Sequence, residues 1–184
     1  MSTPLLFLDV DGVVLPIGAW MEELTSELGR RLTALPVELV WATAWQHDAN
    51  VEIAPRVGLA QLPVVEWRDT SVAEDDEDEY FGLHWKTRLL VEWAGGRDFV
   101  WVDDEVTDAD GAWIAEHHGG RALVHRVRRP AVGLTDVDFE VLEGWLAAPN
   151  PAPAPPLPAP PSEAAAPAGT SRTPDPGSPA PATG

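Results

Sequence analysis

Cysteine is absent from the 184-residue chain, and lysine occurs only once, at position 86. Without cysteine, the protein cannot form disulfides, thiolate zinc sites or a cysteine nucleophile. The N-terminus has no basic region, and its first apolar run is broken by Asp9, so neither a signal peptide nor a membrane span is predicted. We therefore expect a soluble, cytoplasmic protein with no membrane partner.

Basic residues are scarce as a group: 12 Lys and Arg stand against 30 Asp and Glu, for a formal net charge of −18. Such a charge repels polyanions at long range and counts against tight non-specific binding of nucleic acid. The acid-rich segment 69–79 is predicted to be a solvated, mobile loop. A small group of arginines could either balance these acids as a solvated rim or contact a nucleic-acid backbone: Arg121, Arg126, Arg128 and Arg129.

The composition changes sharply near residue 149. Residues 149–184 hold most of the 19 prolines, together with Ala, Gly, Ser and Thr. This composition cannot bury a core, so a disordered C-terminal tail is predicted. Residues 1–148 have the commonest size of a single domain and can bury a real core.

Within residues 1–148, short apolar runs alternate with segments of helical periodicity. The predicted strands cover residues 5–8, 37–42, 62–67, 99–102 and 121–127. The predicted helices begin near Trp20, Trp45, His84, Asp108 or Asp110, and Thr135 or Asp136. This alternation is typical of an α/β domain with a mostly parallel, five-stranded sheet and helices on both faces.

Polar side chains follow three of these strands. Asp9 and Asp11 come after the first, Thr43 after the second, and Asp103 and Asp104 after the fourth. One such strand end alone could be an ordinary acidic turn. Because parallel sheets bind ligands at the carboxyl ends of their strands, three polar ends together predict a functional site at one edge.

The residue types at this edge suit phosphate chemistry. Carboxylates bind hard cations, and Mg²⁺ commonly takes one or two carboxylates together with substrate phosphate and water. A lone lysine is most often a surface residue, but the compact ammonium of Lys86 could also contact a phosphate as a point charge. Carboxylate, cation, ammonium and the Thr43 hydroxyl together predict phosphoryl transfer.

At this point the chain resembles the haloacid dehalogenase superfamily of phosphohydrolases, whose four motifs have matches here in order. Asp9–Gly12 is similar to the first motif, Thr43 to the second, and Lys86 to the third. Residues 99–104 are similar to the two-aspartate form of the fourth, with Asp108 four residues beyond it as either a helix cap or a site residue. The resemblance implies a three-layer, Rossmann-like fold over the whole of residues 1–148.

The resemblance also implies roles. Asp9 would form an aspartyl-phosphate, and Asp11 would protonate the leaving group and later activate water. Thr43 would donate a hydrogen bond to the phosphoryl oxygens, and Lys86 would neutralise charge. The implied Mg²⁺ ligands are Asp9, the backbone carbonyl of Asp11, Asp104 and, assisting, Asp103.

Three functions remain open at this stage. Neither gap between motifs can hold a full cap domain, so the site should be open and accept a small phosphorylated metabolite or nucleotide. A polynucleotide end is the alternative substrate, since the chain is also similar to small superfamily domains associated with bacterial RNA repair. The second alternative is a non-catalytic scaffold with a proline-rich docking tail. Trp45 and Trp85 could stack on a substrate ring, although core packing is the simpler role for them.

Overall fold

The computed structural model describes residues 2–148 of the chain. It contains four parallel strands, and the predicted proline-rich tail lies outside the described residues. The strands are β1 (Leu5–Leu8), β2 (Glu38–Trp41), β3 (Phe99–Asp103) and β4 (Ala122–Arg126). The order β2-β1-β3-β4 places β1 and β3 at the centre of the sheet.

Within residues 2–148, six α-helices surround this sheet. They are α1 (Ser26–Ala34), α2 (Ala54–Val57), α3 (Val72–Phe81), α4 (Thr87–Ala94), α5 (Asp108–His117) and α6 (Asp136–Ala147). A 3₁₀ turn at Met21–Glu23 precedes α1, and a π turn at Ala49–Ile53 leads into α2. In the part of the chain that the structure describes, none of these helices combines the length and apolarity that crossing a bilayer requires.

The central strands are apolar up to Asp103, the last residue of β3, because both faces of the sheet are covered. Leu6, Leu8 and Trp41 belong to a core with α1, α2 and α6, whereas Leu5, Phe7 and Trp101 belong to a core with α4 and α5. This alternation follows from the two-residue period of a strand. The prediction of an α/β domain with a parallel sheet between helical layers is confirmed.

The predicted third strand, over residues 62–67, is wrong, because the sheet has four strands and does not include this segment. Residues 62–67 make only an isolated bridge, between Val64 and Trp41, at the outer edge of β2. The Trp41 amide donates to the Pro63 carbonyl at 2.9 Å, and the Val65 amide donates to the Trp41 carbonyl at 2.8 Å. Pro63 has no amide hydrogen of its own, so the segment cannot extend this bridge into a regular ladder.

The predicted loop at 69–79 is also wrong, because most of it lies in α3. Ser71 caps this helix, accepting from the Glu74 amide while the Glu74 carboxylate accepts from the Ser71 amide. Hydrogen bonds from Arg68 and from Ser71 lower the pKa of Glu74 to about 2. Arg88, on α4, pairs with two further acids of α3. Capping and two arginines therefore order a segment that composition alone marks as a solvated loop.

Smaller differences concern local boundaries. A helix is predicted to begin near Trp20, but regular α-helix begins only at Ser26, and the Trp20 side chain is 75% exposed. Pro55 lies in the first turn of α2, where its missing amide hydrogen costs nothing.

Candidate active site

Parallel pairing brings three strand ends to the same level. Leu8 is paired with Trp41 on one side and with Val102 on the other. The next residue, Asp9, donates its amide to the Val102 carbonyl at 3.1 Å. The carboxyl ends of β1, β2 and β3 thus form one edge, as the sequence predicts.

Lys86 joins two of these strand ends. Its Nζ lies 2.9 Å from Asp9 Oδ2 and 2.8 Å from Asp103 Oδ2. Lys86 directly precedes α4 and is only 3% exposed. The single lysine of the chain is therefore a buried bridge between β1 and β3, and not a surface residue.

Three carboxylates cluster at this edge, and two of them, Asp9 and Asp103, contact the ammonium. One oxygen from each of Asp9, Asp103 and Asp104 lies within 4.8 Å of the others. Burial, opposed by Lys86 and assisted by Asp103, raises the pKa of Asp9 to about 6. Burial and then Asp103 also raise the pKa of Asp104. Burial disfavours the charged form of Lys86, but the attraction of Asp9 and Asp103 prevails and raises its pKa. The cluster keeps more negative charge than the protein itself neutralises.

The turn after β1 is shaped to admit Asp104. Gly12 has φ +71°, and a Cβ placed on it would lie 2.5 Å from Cγ of Asp104. Any side chain at position 12 would therefore collide with the cluster and would also adopt a strained backbone conformation. The sequence predicts the turn at this glycine but does not show what it makes room for.

Asp11 is held separately from the three clustered carboxylates. Its Oδ2 accepts a 2.8 Å hydrogen bond from the indole nitrogen of Trp45. Its side chain is not part of the group that could share a cation, but it lines the same cavity as Asp9, Lys86 and Asp104. Trp45 is half-buried and packs against the core, in agreement with the simpler of its two expected roles, while its indole nitrogen donates to Asp11. Its role as a donor to Asp11 was missed at the sequence level.

Thr43 lies at the predicted edge but is fully buried. Its carbonyl accepts from the Trp67 indole at 2.9 Å, and its hydroxyl oxygen accepts from the Trp45 amide at 3.3 Å. The adjacent Ala44, not Thr43, is among the residues that line the cavity. The Thr43 hydroxyl thus lies behind the cavity wall.

A second buried carboxylate supports the segment that carries Lys86. Oδ1 of Asp110 accepts from the His84 amide at 2.7 Å and from the Thr87 hydroxyl at 2.5 Å. Oδ2 of the same residue accepts from the amide of Thr107 at 2.8 Å and from its hydroxyl at 3.1 Å. The sequence marks Asp110 only as a candidate helix cap; in the structure the cap is Thr107 and Asp110 ties α5 to the start of α4. Among the described residues, the Asp108 side chain makes no hydrogen bond and belongs to neither the cavity lining nor the carboxylate cluster, so the structure does not bring it into the site.

The cavity over the cluster measures about 260 Å³. Its rim includes Trp85, which is 45% exposed and meets Trp67 edge to face at 4.8 Å, and Ile17, which is 55% exposed. Glu105 lies on the rim beside Asp104. The site is therefore a small cavity lined by carboxylates, with the buried ammonium of Lys86 at its base and an exposed aromatic side chain on its rim.

Comparison with known proteins adds no relative to these observations: no family model, no curated protein and no solved structure matches the chain.

Proposed function

We propose that this protein is a Mg²⁺-dependent phosphatase of the haloacid dehalogenase type, which hydrolyses a phosphomonoester through an aspartyl-phosphate on Asp9. The observation that carries the proposal is the bridge from Lys86 Nζ to Asp9 at 2.9 Å and to Asp103 at 2.8 Å, with Asp104 in the same cluster. A buried ammonium between two strand-end carboxylates supplies the positive charge that a phosphoryl group needs beside its nucleophile.

The residues fit a magnesium ion. Asp9, Asp103 and Asp104 offer hard oxygen donors within 4.8 Å of one another. The raised pKa values of Asp9 and Asp104 indicate that one ammonium does not offset the buried negative charge. When bound, the ion would supply Lewis-acid stabilisation of phosphoryl oxygens. A donor set of carboxylates without imidazole or thiolate favours Mg²⁺ over softer metals.

Asp9 is suited to be the nucleophile. The Val10 amide donates to its Oδ1 at 2.7 Å, and Lys86 holds its Oδ2. A carboxylate oxygen of Asp9 attacks phosphorus as the bond from phosphorus to the leaving oxygen breaks. In the second half, a water oxygen attacks phosphorus, the bond to Asp9 breaks, and inorganic phosphate leaves.

Asp11 is suited to move the protons. Trp45 fixes its carboxyl at the mouth of the cavity, two residues from the nucleophile. Asp11 gives its proton to the leaving oxygen in the first half and takes a proton from the attacking water in the second. The hydroxyl of Thr43, which lies behind the cavity wall, accepts from the Trp45 amide and so supports the residue that holds Asp11, without itself facing the phosphoryl group.

The substrate proposed first is a small phosphorylated metabolite or nucleotide, because the cavity is only about 260 Å³. A polynucleotide end is the second candidate, and the arginines at the end of β4 are the observation that favours it. The non-catalytic scaffold is disfavoured, since a scaffold has no use for buried carboxylates whose charge is left uncompensated.

Phosphate release from a mixed panel tests the proposal. The panel holds an aryl phosphate, sugar phosphates, nucleotides, and RNA and DNA with terminal phosphates, each with and without Mg²⁺. Asp9→Asn should reduce Mg²⁺-dependent release at least about a thousandfold, since no other group can form the covalent intermediate. Asp76→Asn, the same change at an exposed position of α3, is the matched control and should not alter the rate. Equal release by wild type and Asp9→Asn would reject the mechanism, and absence of release on the whole panel would reject the function.

A further inference from the structure

Arg126, Arg128 and Arg129 have no ion-pair partner among residues 2–148. Most other arginines there pair with a carboxylate, for example Arg31 with Asp136 at 2.6 Å. These three are exposed at the end of β4 and just beyond it. The chain has a net charge of −18 and therefore many carboxylates. Because none of those within residues 2–148 pairs with these arginines, the arginines are available to bind an anionic ligand.

The three arginines line one cavity of about 450 Å³, together with His125 and the start of α6. The acids of this cavity already have partners. Asp136 accepts from Arg31, and Asp138 accepts from His125 at 2.8 Å and from the Thr135 amide at 2.7 Å. The local excess of charge in the cavity is therefore positive.

The arginine cavity begins one strand away from the carboxylate cluster. Arg126 is paired in register with Asp103, and its Nε donates to the carbonyl of Asp104 at 3.1 Å. Adjacent strands lie about 4.8 Å apart. A ligand seated with one phosphate over Asp9 could extend along this edge and place a second anionic group on the arginines.

We propose that this cavity binds a second phosphate group of the substrate, either a phosphodiester of a nucleotide chain or a second phosphate of a small metabolite. The proposal rests on the proposed phosphatase function, because the first phosphate is assigned to Asp9. Guanidinium groups present paired donors that match phosphate oxygens. The net negative charge of the protein repels polyanions at long range, but the local positive charge at this edge can still bind one phosphate beyond the reacting one.

Binding to the unreactive Asp9→Asn protein in the presence of Mg²⁺ tests the proposal without turnover. The probes are α,ω-alkanediol bisphosphates of increasing chain length, the corresponding monophosphates, and a 5′-phosphorylated dinucleotide, measured by calorimetry. R128Q/R129Q is added to the Asp9→Asn background, and Arg126 is left intact because it contacts Asp104. R30Q/R56Q removes the same charge from arginines that pair elsewhere, with Glu27 and Glu52, and is the matched control.

We expect R128Q/R129Q to lower the affinity for the tightest-binding bisphosphate or for the dinucleotide by about tenfold or more. The affinity for the monophosphates should change little, and the control variant should bind every probe as before. Sensitivity confined to the dinucleotide identifies a nucleotide chain, and sensitivity confined to a bisphosphate identifies a small metabolite. Equal losses for monophosphates and bisphosphates, or no loss for any probe, would overturn the subsite. Arginine-dependent binding without phosphate release by wild type would instead reject the catalytic proposal and leave the subsite intact.

Discussion

Carboxylates lie at two neighbouring sites beside the start of α4, and the protein compensates their negative charge to opposite degrees. At the cluster of Asp9, Asp103 and Asp104, one ammonium, that of Lys86, contacts two of the three carboxylates. At Asp110, a single carboxylate receives four donors from three residues. Both groups are built from the same chemistry, at neighbouring points of the same fold.

The difference separates stability from function. A buried carboxylate with a full set of donors stabilises the fold, whereas one without enough compensation destabilises it. Burial raises the pKa of Asp9 and Asp104, so their ionised forms oppose folding at neutral pH. A protein tolerates this loss of stability where a bound cation and substrate offset the buried negative charge. The cluster is therefore the better candidate for the functional site.

The largest effect on the fold should come from Asp110→Asn. Its side-chain amide would place hydrogens against donors that now face a carboxylate, at Thr107 or at His84 and Thr87. We expect a loss of about 2–3 kcal/mol in the free energy of unfolding, and a fall in Tm of roughly 6–12 °C, measured by calorimetry.

Asp104→Asn is the opposite case and serves as the control. It removes one negative charge from the undercompensated cluster and leaves the backbone contacts in place. In a chelator its Tm should equal or exceed that of wild type, because the raised pKa of Asp104 marks its ionised form as unfavourable to folding. A fall in Tm as large as that of Asp110→Asn would mean that the two groups of acids do not differ as argued.

This contrast also marks the limit of what the sequence predicts. The strand-end residues Asp9, Thr43 and Asp103 are predictable because a parallel sheet aligns the ends of its strands, whatever the loops do. The support from Asp110 to His84 spans 26 positions, and no periodicity encodes it. The capping spacing of Thr107 and Asp110 was the one available signal, and it indicates a helix start but not the second helix that the carboxylate reaches.

The errors in the fold have similar causes. An apolar run at 62–67 favours a strand locally, yet Pro63 and a single bridge to Trp41 decide otherwise. The acids of 69–79 favour a solvated loop, yet Ser71 caps a helix within the segment, and Arg68 and Arg88, which lie outside it, pair with its acids. Composition describes a segment by itself, whereas these outcomes depend on its partners.

Asp11 is intermediate between the two groups, because it has one donor, and Trp45→Phe tests what that donor does. Losing the indole hydrogen bond frees the carboxyl, which lies at the exposed mouth of the cavity. We expect kcat for an alkyl phosphate to fall about tenfold, since such a leaving group needs a positioned acid. An aryl phosphate, whose leaving group departs without a proton, should change little.

Trp85→Phe separates this hydrogen bond from loss of aromatic contact. Trp85 lines the same cavity, but the indole that donates to Asp11 is that of Trp45 and not that of Trp85. Trp85→Phe should alter KM by the same factor for alkyl and for aryl phosphates. Equal losses for alkyl and aryl phosphates in Trp45→Phe would assign Trp45 a packing role only.

The smallest effect should come from Asp138, a second well-compensated acid. Burial opposes its ionisation, but hydrogen bonds from Thr135 and from His125 outweigh burial and lower its pKa below the usual 3.8. A carboxyl whose pKa is lower in the folded state adds stability above the unfolded pKa and loses it as the pH falls through the folded value. Asp138→Asn should therefore lower the free energy of unfolding by about 1 kcal/mol at neutral pH, the value of a helix cap.

The pH dependence of this difference tests its cause. Because the wild-type carboxyl is itself neutral in strong acid, the difference in Tm between wild type and Asp138→Asn should narrow as the pH falls below 3.8. Asp108→Asn, at the exposed start of α5, should show a smaller difference across the same titration. A gap for Asp138→Asn that stays constant down to strong acid would show that packing, and not the ionised carboxylate, is what Asp138 contributes.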